Sequence, residues 1–334
     1  MGWLTAWHAR SGPRAPAGAF DQHPDVMDAS VIARGLRKSF GTRVAVDGID
    51  LVVRHGECFG FLGPNGAGKT TTMRMLACLS SRDAGDLSVL DMDPDRDARA
   101  LKARLGVVPQ EINLDLELTV LENMLVYARY FGIRRADAIP RSRALLEFVE
   151  LETREGDTVD RLSGGMQRRL QIARALVNDP DMILLDEPTT GLDPQARHLV
   201  WERLRALRTA GTSVIITTHY MDEAERLCDR LVVIDHGRVI REGSPEALVE
   251  AEVGRAAIEV RISPTDAVRV AAALGGRHVI TGESLVVFGD DAVHLARAAE
   301  AAGVHSDDIT TRRATLEDLF ISATGHALRD DQER

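Results

Sequence analysis

Four short apolar runs mark the first 240 residues: "ECFGFL" (57–62), "MILLD" (182–186), "SVIITT" (213–218) and "RLVVID" (230–235). Each is continuous rather than alternating in hydrophobicity. Runs of that length, bounded by charge or turn residues, predict central strands of a parallel sheet buried on both faces. Between them the apolar period lengthens to that of a helix. One helix is predicted from about Lys69 to Leu79 and another over "PQARHLVWERLRALRTAG" (194–211). A helical insert is predicted over about Val120–Leu151, where "ENMLVYARYFGI" and "RSRALLEFVEL" are amphipathic. In "RLSGGMQRRLQIARALVNDP" (161–180), Ser163 takes an N-cap position, and Met166, Leu170, Ala173, Leu176 and Val177 recur at helical spacing. Alternating strands and helices imply an α/β layered domain.

The pattern changes after "GSPEALVEAE" (243–252). "AAIEVRI", "TDAVRVAAALGG", "RHVITG", "SLVVFGD", "DAVHLARAAEAAG" and "DDITTRRA" read as β-α-β-β-α-β, the order of a small split-βαβ domain. At the other end, residues 1–28 are rich in Pro, Ala, Gly and Arg and lack the apolar core of a signal peptide, so they read as a disordered extension. Met27 stands just before the first patterned segment and is an alternative translation start. The expected division is thus an extension over 1–28, an α/β domain over 29–246 and an α+β accessory domain over 247–334.

Composition narrows the function. A chain of 334 residues that is 44% hydrophobic can bury one large core and a smaller second one. Its 51 acidic against 41 basic residues, net charge −10, argue against a nucleic-acid partner. Cys58, Cys78 and Cys228 are odd in number and form no CxxC pair, which favours reduced thiols over disulfides or zinc. No apolar run approaches the roughly 18–20 residues that span a bilayer. The chain is therefore not expected to be a membrane channel itself.

The chemistry lies in two glycine corners and the strand ends between them. Gly63-Pro64-Asn65-Gly66-Ala67-Gly68-Lys69-Thr70 matches G-x-x-x-x-G-K-[ST] and is followed by Thr71. Such a loop turns its amides toward phosphates at a helix N-terminus. Lys69 can bridge the β- and γ-phosphates, and the Thr70 hydroxyl can reach Mg²⁺. The preceding strand and following helix separate this from a chance glycine-rich turn. "MILLDEPTTGLD" (182–193) ends a buried strand in Asp186, suited to holding Mg²⁺, and Glu187, suited to orienting or deprotonating an attacking water. Taken alone, that pair reads first as a strand that merely stops at two charges. Gln110, ending "GVVPQ", either reaches the metal or water or is simply solvated. His219, after "VIITT", either contacts the γ-phosphate and steadies Glu187 or is an ordinary strand-end polar residue. Phe40 is either an adenine-stacking ring or a core aromatic.

In combination these signals are specific. The order of aromatic, phosphate loop, glutamine, Ser-Gly-Gly helix, double carboxylate, Gly-Leu-Asp and histidine resembles the nucleotide-binding subunits of ATP-binding-cassette (ABC) transporters, from about Val31 to Glu246. "LSGGM" (162–166) is its most specific word. The resemblance implies a P-loop fold with a RecA-like core, an antiparallel β subdomain and a helical subdomain over about 111–178. It implies ATP and Mg²⁺ as ligands, with Thr70, Gln110 and Asp186 at the metal. It also explains the second, lysine-free corner. In this family two cassettes pair head to tail, and Ser163, Gly164, Gly165 and Gln167 of one close over ATP held by the other. Asp193 then lies at the seam.

The signature has Met166 where the family more often has Gln, and Phe40 stands where it more often has Tyr. The Met variant and the tail "RRATLEDLFISATG" (312–325) look like ATP-binding subunits of bacterial ABC-2 type exporters, including the daunorubicin-resistance and nodulation lipo-oligosaccharide groups. That likeness implies a homodimer, peripheral on the cytoplasmic face of the membrane, with separate permease subunits. The surface near Gln110 and the helical insert, with "MLVYARYFGI" as its candidate contact, would grip a permease helix. The rivals are a soluble ABC ATPase acting on ribosome or DNA, which usually carries two cassettes, a coiled coil or zinc motifs, and an inactive regulatory cassette, against which Lys69, Asp186, Glu187 and His219 are intact.

Overall fold

A computed structural model describes residues 28–324. The extension read at 1–28, with Met27, therefore lies outside the described residues except for Asp28. That residue belongs to the folded domain, since its carbonyl accepts a hydrogen bond from the His55 amide (3.0 Å). The chain forms two compact units, residues 28–219 with Leu227–Ile240, and Tyr220–Arg226 with residues 241–324.

In the first unit, β1 (Ala29–Phe40), β2 (Arg43–Arg54) and β4 (Ala84–Val89) make an antiparallel sheet in the order β2-β1-β4. A six-stranded sheet holds β3 (Cys58–Leu62), β5 (Leu105–Val108), β6 (Met182–Asp186), β7 (Ser213–Thr218), β8 (Arg230–Asp235) and β9 (Arg238–Gly243), in the order β5-β6-β7-β3-β8-β9. The pairs from β5 through β8 are parallel. Every residue of β3, β6 and β7 is buried, which is why their apolar runs are unbroken. Both sheets share one core, in which Leu36, Ile49 and Val89 join Phe59, Leu184, Ile215 and Val232 around Met73 and Leu76 of α1 (Lys69–Leu76).

The helix α1 stops three residues short of the expected Leu79. Cys78 takes φ +56°, and the amides of Leu79 and Ser80 fold back onto the Arg74 carbonyl (2.8 and 3.1 Å). A left-handed residue of this kind ends a helix by satisfying its last carbonyls locally. The short α2 (Ala98–Lys102) leads into β5. The helical insert contains α3 (Val120–Tyr130), α4 (Arg135–Phe148) and α5 (Gly164–Ala175). A capping box closes the start of α3: Thr119 accepts from the Glu122 amide, and the Glu122 carboxylate accepts from the Thr119 amide. The helix α6 (Pro194–Thr209) ends two residues before the expected 211, where the Gly211 amide donates to the Arg208 carbonyl (2.8 Å).

The second unit has its own core, with Ile258, Val260, Val270, Leu285 and Val287 at its centre. Its β10 (Ala256–Arg261), α9 (Pro264–Leu274), β11 (His278–Thr281), β12 (Ser284–Gly289), α10 (Ala292–Ala301) and β13 (Ile309–Arg313) follow the expected β-α-β-β-α-β order. The sheet is antiparallel throughout, ordered β11-β12-β10-β13. The boundary between the units differs from the 246/247 division read from the sequence. It falls inside β9 at 240/241, and all but the last residue of α7 (Met221–Leu227) joins the second unit. The reason is packing. α8 (Pro245–Val253) contacts α11 (Leu316–Thr324), and Glu225 of α7 accepts a hydrogen bond from the Leu316 amide.

Candidate nucleotide site

The strand β3 runs into the glycine loop, and the loop opens directly into α1, so the loop amides stand at a helix N-terminus. Gly68, the residue before the helix, has φ +108°, and a Cβ there would sit 2.4 Å from the Ala45 carbonyl oxygen. Only glycine satisfies both the left-handed backbone and the close approach. Lys69 follows as the first helical residue, only 4% exposed, and its Nζ donates to the carbonyls of Gly63 (2.7 Å) and Pro64 (3.1 Å). Burial pushes the ammonium below its ordinary pKa, against the opposing charges of Glu187 and Asp186.

Two carboxylates end β6 beside this loop, and they have different partners. Asp186 Oδ1 accepts from the hydroxyl of Thr70 (3.1 Å) and from that of Thr217 on β7. Thr70 and Asp186 thus present hard oxygens side by side, the donor chemistry that suits Mg²⁺. Among the described residues no group of three or more His, Cys, Asp or Glu side chains could hold a metal alone. A cation here would complete its shell with phosphate oxygens and water, as Mg²⁺ commonly does.

Glu187 is buried and sits in a polar ring. Its Oε2 accepts from Gln110 Nε2 (3.0 Å) and the Thr190 hydroxyl (3.2 Å). Its Oε1 lies 3.3 Å from His219 Nδ1 and 3.9 Å from Lys69 Nζ. Burial raises the carboxyl pKa, but the His219 hydrogen bond and the charges of His219 and Lys69, with Thr190, outweigh it and hold Glu187 below the usual carboxylate range. An ionised, well-held carboxylate is what orienting a water requires.

Lys69, Thr70, Gln110 and Glu187 line a cleft of about 560 Å³, a volume suited to a small ligand, with Asp186 and His219 reaching it through Thr70 and Glu187. Phe40 and Arg43 line it together with the glycine loop, Gln110 and Glu187. Phe40 is 55% exposed, so the core-aromatic alternative is removed. Asn65 and Gly66 are exposed and Ala67 is buried. Thr71 lines the cleft beside Thr70. The structure thus brings together Phe40, Gly63 to Thr71, Gln110, Asp186, Glu187 and His219.

The second corner lies elsewhere, and none of its residues lines that cleft. Ser163 caps α5, its hydroxyl accepting from the Met166 amide (3.3 Å), and Ser163 and Gly164 are exposed. A Cβ on Gly165 would come within 3.2 Å of Ala196 Cβ, so this glycine lets α5 approach α6. Asp193 caps α6 by accepting from the Ala196 amide (2.9 Å). Gln167 turns back into its own chain, donating to the carbonyls of Val159 and Leu162 (both 3.2 Å).

Several contributors were missed in the sequence. Arg43 carried no motif. Thr190 follows one apolar strand and Thr217 lies within another, and neither was assigned a role. Arg168 carried no motif role either, yet it is buried against the backbone that carries Gln110 and Glu187. The inward row Arg168, Gln171 and Arg174 on α5 was readable only as a departure from an apolar face. One cleft of the second unit is lined by opposed charges such as Arg313–Glu246 (3.4 Å) and Arg255–Glu250 (3.5 Å) and offers no phosphate loop.

A phosphate loop with a buried lysine, facing two strand-end carboxylates of distinct environment, defines a phosphoryl-transfer ATPase of the P-loop class. Comparison with known proteins gives the family. A model of the ABC transporter family matches residues 46–190. A Nod factor export ATP-binding protein I from Paraburkholderia xenovorans (strain LB400) is 49% identical over 308 residues, covering 91% of this chain and 99% of that protein. The protein of the same name from Burkholderia lata is 48% identical over 304 residues, covering 90% of this chain and 99% of its own. Among solved structures, a dimeric ATP-binding cassette, MJ0796, in a post-hydrolysis state bound to ADP and Pi, aligns with a TM-score of 0.59 at 28% identity, covering 64% of this chain and 98% of that one. The chain belongs to the ABC transporter family, as an ATP-binding subunit whose ATPase activity is coupled to transport.

Proposed function

We propose that this chain powers an exporter by closing as a head-to-tail dimer over ATP, each copy lending its Ser163–Gly165 corner to the nucleotide in the other. The observation that carries this reading is the separation of the two corners. Phe40, the phosphate loop, Gln110 and Glu187 line one cleft, while Ser163 and Gly164 stand exposed outside it. A capped helix N-terminus without a cation is a weak anion site alone. It is well suited to completing a phosphate already held by a loop opposite. That MJ0796 forms a dimer bound to ADP and Pi supports pairing in the presence of nucleotide.

Within each site the residues divide the work. Phe40 stacks on the base. The loop amides and Lys69 hold the phosphates, and Glu187 orients the water and takes its proton, steadied by His219, Gln110 and Thr190. Mg²⁺ held by Thr70 and Asp186, with Gln110 beside it, would neutralise charge on the phosphate oxygens. Asp193, exposed at the α6 cap, lies at the dimer seam. Hydrolysis leaves ADP and phosphate, which hold the dimer less well than ATP, and the pair reopens.

Among the described residues no helix is long and apolar enough to cross a membrane. The export step is therefore assigned to separate permease subunits of ABC-2 type, with this chain peripheral on the cytoplasmic face as a homodimer. The relatives named for Nod factor export support this placement. On α3, Tyr130 is 79% exposed and Val126 is also exposed, while Tyr127 is half-buried with Arg174 4.8 Å above its ring. Val126 and Tyr130 are the candidate grip for a permease helix. The cargo, a drug, lipid or lipo-oligosaccharide, is selected by those subunits. The test is the oligomeric state of Glu187→Gln, which keeps ATP uncleaved. Light scattering should show a stable dimer with Mg-ATP and a monomer without it, and a variant that stays monomeric with Mg-ATP at high concentration would sink the reading.

A further inference from the structure

We propose that Arg168 is a positioning residue for hydrolysis, setting the Glu187 carboxylate and the Gln110 amide through the backbone that carries them. The inference deepens the reading of Glu187 as the water-orienting base and rests on it.

Arg168 is 4% exposed and every N–H of its guanidinium has an acceptor. Nε donates to the Pro188 carbonyl (2.9 Å). Nη2 donates to the carbonyls of Asp186 and Glu187, both at 2.8 Å. Nη1 donates to the Pro109 carbonyl (2.5 Å) and Gln171 Oε1 (2.7 Å), with the Gln110 carbonyl at 3.4 Å. Five N–H groups in a rigid planar fork meet five short acceptors, an arrangement a lysine cannot reproduce.

Three consecutive carbonyls, 186 to 188, converge on this one cation. That convergence requires a sharp turn of the chain, and Glu187 makes it with φ +46°, an unfavourable conformation for a residue with a Cβ that its surroundings must hold. The same guanidinium holds the 109–110 backbone. It therefore fixes both ends of the hydrogen bond from Gln110 Nε2 to Glu187 Oε2. Gln171 and Arg174 extend the tie along α5, donating to the carbonyls of Glu111 (2.8 Å) and Asn113 (2.9 Å).

The experiment compares Arg168→Lys and Arg168→Gln in the full-length protein, alone and combined with Glu187→Gln. Equilibrium ATP affinity and Tm are followed beside turnover. The expected result is a kcat lower by about 10- to 100-fold, the usual cost of roughly 1 Å of misplacement, with ATP Kd within about twofold. In the Glu187→Gln background either Arg168 substitution should add almost no further loss, because the two residues act as a unit. Losses that multiply would overturn the proposal, as would an unchanged kcat in both variants, or Tm, affinity and kcat falling together in both. Failure of the unaltered protein to hydrolyse ATP would instead overturn the assigned function.

Discussion

At Gly63–Thr70 the backbone wraps a buried ammonium, two carboxylates stand within reach, and each is held by hydroxyls, an amide or a ring nitrogen from another segment. At Ser163–Gly165 the same kind of glycine turn opens onto solvent with a single serine cap behind it. The first corner is cross-braced by long-range contacts, from Thr70 to Asp186 and from Gln110 to Glu187. The second owes its shape to local capping and to the approach of α5 to α6. The difference teaches that a glycine corner can be held either by charges and contacts distant in sequence or by its own cap and one neighbouring helix, and the division of roles proposed above asks for one of each.

The contrast is broken most severely at Glu187. Glu187→Gln retains the Gln110 and Thr190 side of the ring but removes the base. Steady-state hydrolysis should fall on the order of 10²–10⁴-fold, while the cleft still binds ATP. Normal turnover would show that the braced corner does not house the base. Lys69→Ala comes next. It removes a charged donor from the loop, and losing a hydrogen bond to a charged group costs about 1.5–3 kcal/mol, so ATP Kd should weaken roughly 10- to 100-fold. Equilibrium titration with unchanged affinity would refute the phosphate-loop role.

The open corner is tested by Ser163→Gly. Glycine is a tolerable N-cap, costing only a few tenths of a kcal/mol relative to serine, so α5 should survive and Tm should barely move. Turnover should nevertheless drop by about tenfold, as a hydrogen bond to a phosphate oxygen of the facing copy is lost. Mixing sharpens the comparison. In a mixed pair of Lys69→Ala and Ser163→Gly chains, both defects fall in one site and the other site is intact. Such a mixture should hydrolyse ATP faster than either variant alone. Equal or lower rates would mean that the two corners do not meet across a dimer.

The same contrast explains what the sequence disclosed. The braced corner was legible because its strands are buried on both faces and read as unbroken apolar runs, and because the loop pattern admits few alternatives. The boundaries of α1 and α6 slipped by two or three residues, since helix ends depend on single left-handed residues and local carbonyls rather than on periodicity. The unit boundary slipped because α7 begins two residues after His219 yet packs with residues some ninety positions later, through Glu225 and the Leu316 amide. The bracing of Glu187 by Arg168 was hidden for a different reason. An arginine in a run of arginines reads as solvated charge, and only the folded backbone reveals carbonyls waiting for it.

The smallest expected effect belongs to Phe40. More than half of the ring is exposed, so truncating it removes little from the core, and Phe40→Ala should leave Tm nearly unchanged. The Lys38 ammonium lies over the ring, 5.5 Å from its centroid, and is itself paired with Asp83 (2.8 Å). One face is thus occupied by a fixed cation, and the other is available to a purine. Aromatic stacking is worth about 0.5–1.5 kcal/mol beyond burial, so ATP Kd should rise by roughly two- to tenfold. Inorganic tripolyphosphate, which has no base, should bind Phe40→Ala and the unaltered protein alike. Equal losses for both ligands would mean that the ring shapes the phosphate loop, and unchanged affinity for both would remove it from the site.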